Sequence, residues 1–214
     1  MQIRDLLRNA DRETLIDILV EYAQHDAKLT SMINVRFREP EFDEELKKIE
    51  KLIDKGLGET SNHRIRDRWG GMVFDVADVF YEIEDRINQG YIKLAFTELE
   101  LLYHKLTTYF DSQGEHEISD VVKDCVAMMD TAAQEAVVQD DKDFIFERCV
   151  ELAKLKVCED YGMDSEAKIL KTAVRFINEQ NREKAESIID KKEKSWFSEE
   201  YHAIRDEIRE KLDL

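Results

Sequence analysis

Apolar residues recur along this chain three and four positions apart, the spacing that gives an α-helix one apolar face. After a short amphipathic turn at residues 3–7, Asp11 is placed to cap a helix whose stripe is Leu15, Ile18, Leu19, Tyr22 and Ala23. A second helix starts near Asp26 with Leu29, Met32, Ile33 and Phe37, and Pro40 ends it, because a residue before proline avoids helical geometry. A third follows from Glu41 with Phe42, Leu46, Ile49, Leu52 and Ile53, and Gly56 and Gly58 supply its stop.

Two longer amphipathic segments, 72–88 and 91–110, are separated only by Gln89-Gly90, which predicts a helical hairpin. Val73, Val76, Ala77, Phe80, Ile83 and Ile87 form its first stripe. Leu94, Ala95, Leu99, Leu102, Leu106 and Phe110 form the second. One helix pair cannot bury two such wide faces against itself, so neighbouring helices must cover the remainder. The pattern predicts those neighbours at 118–138, 144–157, 165–178 and 182–191, then a final helix capped by Ser198 with Tyr201, Ile204, Ile208 and Leu212 on one face and charge on the other.

The expected fold is all-α, an irregular stack of antiparallel hairpins of the tetratricopeptide or HEAT kind. The segment 57–71 is read as a linker between an N-terminal helical unit, 1–56, and a hairpin array, 72–214, with the two free to pack as one body. The turn Gly90-Tyr91 leading to Ala95 is similar to the tetratricopeptide turn, but turns near 89, 140 and 180 keep no regular period.

Composition agrees with helices: the 214 residues include only seven glycines and one proline. Charge narrows the function classes. With 32 basic and 49 acidic side chains the formal net charge is -17, so the mean surface field repels nucleic acid and anionic membranes. Cys125, Cys149 and Cys158 are odd in number and sit beside apolar neighbours, as reduced core residues do. The first residues lack the plan of a signal peptide and no apolar run is long enough to span a bilayer, so a cytoplasmic protein is expected.

Against this acidic background the run His63-Arg64-Ile65-Arg66-Asp67-Arg68-Trp69 stands out. Arg64, Arg66 and Arg68 offer bidentate donors to phosphate or carboxylate and Trp69 offers a ring for stacking, which makes an anion or nucleic-acid contact the alternative function. The competing reading pairs these arginines with carboxylates of neighbouring helices and packs Trp69 into the junction. No catalytic residue, cofactor or metal site is expected. Glu199 and His202 make a single Glu-x-x-His, whereas a di-iron bundle needs two copies and further glutamates; Glu100 and His104 are likewise without companions. A helical-bundle enzyme using carboxylates is therefore a third and weaker reading. The acidic faces around Glu82, Glu84 and Asp85, and at Asp120, Asp124 and Asp130, could receive a basic partner segment.

The run from Leu15 through Leu29 closing on Val35-Arg36-Phe37, the Gly90-Tyr91 turn with Ala95, and the acidic turn 111–115 leading into Ile118 and Val121 together resemble the helical companion region of bacterial SWIM-type zinc-finger proteins. The zinc finger itself is missing: no cysteine lies two residues from another cysteine or a histidine. The resemblance implies a helical fold and not the role of that metal site. The expected function is a non-catalytic module for protein–protein interaction, with self-association if the hairpin keeps an uncovered face.

Overall fold

The computed structural model describes residues 11–25, 41–57, 76–108, 110, 115–192 and 194–213. Contacts divide the chain into two units, Met1–Glu41 and Phe42–Leu214. In the first, α1 (Arg12–His25) begins as its sequence predicts: one Asp11 carboxylate oxygen accepts from the Thr14 amide at 2.9 Å and the other from the Thr14 hydroxyl at 2.7 Å. Tyr22, assigned above to the buried stripe, is 67% exposed.

The second unit holds α2 (Phe42–Gly56), α3 (Ala77–Asn88), α4 (Ile92–Thr107), α5 (Glu115–Glu135), α6 (Gln139–Ala153), the short 3₁₀ turn Glu159–Tyr161, α7 (Ser165–Val174), α8 (Arg182–Lys191) and α9 (Ser198–Lys211). All the regular structure among the described residues is helical, and no described helix is long and apolar enough to cross a membrane. The α2 helix packs on α3 and α4 through the fully buried Ile49 and Ile53. The linker expected over 57–71 lies, apart from Leu57, outside the described residues.

Two helices organise this unit. The α4 helix touches α2, α3, α5 and α6, while α7 touches α5, α6, α8 and α9. Both are apolar on most sides, the sequence condition for a helix with little solvent face. In α4 the predicted stripe is buried, and so are Ile92, Phe96 and Tyr103 on other sides. In α7 Ala167, Ile169, Leu170, Ala173 and Val174 leave only Lys168 and Lys171 exposed. One continuous apolar core runs from Ile49 to Ile208.

The turns are built from local chemistry. After α3, Gly90 takes φ 83°, the Tyr91 amide donates to Arg86 O at 3.0 Å and the Gly90 amide to Ile87 O at 2.9 Å. This paired closure requires a left-handed residue just past the helix. Gly162 repeats it at φ 73°, with Met163 N donating to Cys158 O at 3.0 Å. The turn after α7 differs: the helix ends at Val174, short of the expected residue 178, where the amides of Arg175, Phe176 and Ile177 donate three residues back instead of four, and beyond it Asn178 Oδ1 accepts the amides of Gln180 at 2.9 Å and Asn181 at 3.1 Å. Similarly α6 stops at Ala153 rather than continuing to residue 157. Ser198 is the first helical residue of α9 and not its cap; Phe197 holds the cap position with no side-chain hydrogen bond. The partly exposed Phe42 and the exposed Ala77 also lie off the faces assigned to them.

Because Gly90 must hold a positive φ and a Cβ there meets open space, the cost of a side chain is conformational alone. Gly90→Ala is expected to lower stability by about 1 kcal/mol and Gly90→Asn by less, since Asn visits this region more readily. Urea unfolding midpoints of the two variants would check the order.

Candidate functional site

Ionisable groups that a sequence reader would offer to catalysis are spent on packing. Glu98 is fully buried on α4, where one oxygen accepts from Arg86 Nε at 2.9 Å and the other has no partner. Burial pushes its carboxyl up to about 7 despite the guanidinium. Arg86 also reaches Glu45 of α2, so this cluster ties α2, α3 and α4 together. Two positions on, Glu100 accepts both arms of Arg148 from α6 and lies 3.6 Å from His104. Burial alone would raise the Glu100 carboxyl, but hydrogen bonds from His104 and Arg148 hold it below the usual carboxylate range. The Glu100–His104 pair noted in the sequence lies within α4, and it is Arg148 that makes Glu100 an interhelical clamp.

The thiols are equally committed. Burial pushes Cys125 and Cys149 up, and Cys158 up to about 12, so none is ionised near neutrality. All three are free and buried, as the sequence predicts. Cys158 Sγ lies 3.1 Å from the Tyr103 hydroxyl, and its backbone amide donates to Glu166 Oε1 at 2.8 Å. Glu166 is fully buried, its second oxygen has no protein partner, and burial raises its carboxyl. Buried and without a thiolate, this network braces the loop between α6 and α7 against α4. Among the described residues no three His, Cys, Asp or Glu side chains gather to hold a metal; His202 and Glu199 are both exposed on α9.

The open concave surface is a trough whose floor is α7. A cavity of about 740 Å³ lies between α5, α7 and the end of α9, and one of about 240 Å³ continues it between α7 and α9; both are lined by Lys168, Lys171 and Glu207. Together they follow α7 from Asp164 to Arg175, about 16 Å at the helical rise. Val126, Ala127, Ala167, Ala203 and Ile204 supply apolar wall. Among the described lining residues five cations (Lys123, Lys168, Lys171, Arg175, Lys211) face five carboxylates (Asp124, Asp130, Asp164, Glu200, Glu207), an even balance in a molecule of net charge -17.

The charges are held in place. Arg175 grips Asp130 with two hydrogen bonds of 2.8 and 2.7 Å, and Gln134 and Thr172 add two more. These keep the Asp130 carboxyl below its ordinary value although burial opposes them. Lys211 donates to the carbonyls of Val174 at 2.9 Å and Arg175 at 2.6 Å, satisfying the end of α7. Lys171 and Glu207 stand 3.8 Å apart across the trough.

Asp124 and Asp130, read above as part of an exposed acidic face, are brought into this trough, and Asp130 is largely neutralised there. Asp120 instead pairs with Lys123 at 2.9 Å. On α3, Glu82 turns toward Arg86, while Glu84 and Asp85 are exposed. The proposed anion contact at Arg64, Arg66, Arg68 and Trp69 lies outside the described residues. Sequence reading did not find the trough, because its walls come from helices far apart in the chain; the only local signal was the pairing of Lys168, Lys171 and Arg175 at helical spacing on an otherwise apolar helix.

Comparisons with protein-family models, with curated proteins and with solved structures find no match to this chain.

The Glu98 carboxyl titrates near 7 when folded, against an ordinary 4.5, so the folded state holds this proton over a window in which the unfolded chain has lost it. Its contribution to stability is therefore full below the lower value and declines as pH rises to the upper one, by about 3 kcal/mol in all. Glu98→Gln is expected to remove this decline and to gain on the parent protein above neutral pH. Urea unfolding of both proteins over that pH range, read as their difference, would check it.

Proposed function

We propose that this protein is a non-catalytic helical interaction module that holds an amphipathic segment of a partner protein in the trough along α7. The observation that carries this reading is the trough's elongated, charge-balanced lining. A length of about 16 Å spans roughly five residues of extended chain or three turns of helix, dimensions of a peptide. Its apolar wall supplies contact area, and the fixed alternation of lysines and carboxylates favours one direction of a segment carrying both signs.

Several further features agree with a binding role. Stacked helices covering one another's apolar faces leave grooves between them, which is how repeat-like and tetratricopeptide-like scaffolds present binding surfaces. The resemblance to the helical companion region of SWIM-type proteins points to the same class of module without the zinc finger. Buried, free cysteines suit the reducing cytoplasm. The buried acids Glu98 and Glu100 and the buried thiols are tied into packing, which removes them as candidates for carboxylate or thiol catalysis.

Ala127 and Ala203 line opposite sides of the trough and are exposed, so large side chains there fill it without entering the core. Ala127→Trp with Ala203→Trp is expected to weaken partner binding by about tenfold or more, with helicity and melting unchanged. The check is a side-by-side affinity capture from source cells, followed by titration of any recovered protein against both forms. A partner held equally well by the filled variant would sink the trough as the site.

A further inference from the structure

A second cavity, about 330 Å³, opens where the loop between α6 and α7 meets the turn between α8 and α9. Its chemistry differs from that of the trough. Lys156, Lys191 and Lys194 line it as exposed side chains with no ion-pair partner among the described residues. A fourth lysine, Lys192, is buried and fixed by Leu155 O at 2.6 Å and Glu159 Oε1 at 2.7 Å. Beside them Trp196 is 92% exposed, the most exposed large apolar side chain described.

The rim is anchored on a built floor. Glu159 accepts from Lys192, from Ser195 Oγ at 3.1 Å and from the Tyr201 hydroxyl at 2.6 Å, so its charge is taken up internally. The Phe197 amide donates to Ser195 Oγ at 3.2 Å, which ties the backbone on both sides of Trp196. The indole is thus held outward by an ordered turn. Among the described residues the lining holds four lysines and two carboxylates, Glu159 and Asp160, and Asp160 is exposed with no ion-pair partner among them.

We propose that this cavity binds a nucleoside phosphate, with Lys156, Lys191 and Lys194 taking the phosphates, Trp196 stacking on the base and Asp160 accepting sugar hydroxyls. Its volume lies within the roughly 300 to 1,000 Å³ of small-molecule sites. Size also decides against a larger polyanion. A nucleic acid or acidic protein would lie across the surrounding surface, within about 8 Å (the screening length in physiological salt) of the carboxylates of a molecule at -17, whereas a ligand small enough to sit inside the cavity meets chiefly the lysines. An aromatic face beside cations is the arrangement that reads a base and its phosphate together.

The chain has two tryptophans, so Trp69→Phe in the full-length protein leaves Trp196 as the only indole. Adding ADP is expected to quench its fluorescence saturably, and pyrophosphate or adenosine alone to bind about tenfold more weakly or worse. Calorimetry on the unaltered protein gives a reading independent of that substitution. Lys191→Gln with Lys194→Gln, and separately Trp196→Ala, should each weaken ADP about tenfold while leaving thermal melting in place, since all three side chains are exposed. Absence of saturable ADP binding overturns the proposal. So does ADP binding no tighter than pyrophosphate, or ADP affinity unchanged in both variants. Sedimentation showing that Trp196→Ala dissolves a dimer of this chain, with no response to ADP, would reassign the indole to self-association.

Discussion

Everything in the larger unit depends on two helices that have almost no solvent face. A helix buried on most sides must find apolar neighbours in several directions at once, and α4 and α7 do so with four helices each. Leu94, Leu99, Leu102 and Leu106 of α4, and Ile169, Leu170 and Val174 of α7, are at most 3% exposed. Transferring each such side chain out of water contributes about 2 kcal/mol, a driving term that non-directional contact supplies. The outer helices need only one apolar face, and α8 and α9 accordingly carry their charges outward.

Burial on all sides also explains the ionisable groups inside. Once α4 is enclosed, any polar residue in its sequence is enclosed with it, so Glu98 and Glu100 must find partners on the helices that cover them. Arg86 and Arg148 reach in from α3 and α6 and turn an otherwise costly burial into specific cross-links. The two carboxyls end with opposite shifts because their surroundings differ. Glu98 keeps one unpartnered oxygen and is pushed up, whereas Glu100 receives a bidentate arginine and a histidine and is held down.

The surface inherits its concavities from the same arrangement. Because α7 is short and flanked by the longer α5 and α9, its one polar edge lies at the bottom of a trough rather than on a ridge. Lysines and carboxylates lining that trough pair with one another, leaving a balanced surface suited to a segment of mixed charge. The lysines around Trp196 are different in kind, since three of them have no carboxylate partner among the described residues. In a strongly acidic protein, unpaired cations gathered at one cavity mark a place where a small anion finds attraction that the average surface denies it.

Much of the helical architecture was legible in the chain itself. Periodicity located each helix of the second unit, Gly90 marked the tight turn, Asp11 marked a cap, and the apolar surroundings of the cysteines marked them as core, because these depend on neighbours within a turn or two of helix. Where local competition was close, the ends moved: α7 gives way to tighter turns after Val174 before Asn178 accepts the amides of Gln180 and Asn181, and Ser198 yields the cap position to Phe197. Only tertiary structure decided that α2 belongs with α3 and α4, that Glu98 and Glu100 lie inside, and that Asp130 answers Arg175 across the trough. The reason is physical. Apolar spacing says which side of a helix avoids water, but how many sides are covered, and which charges meet across the gap, depends on helices tens of residues away.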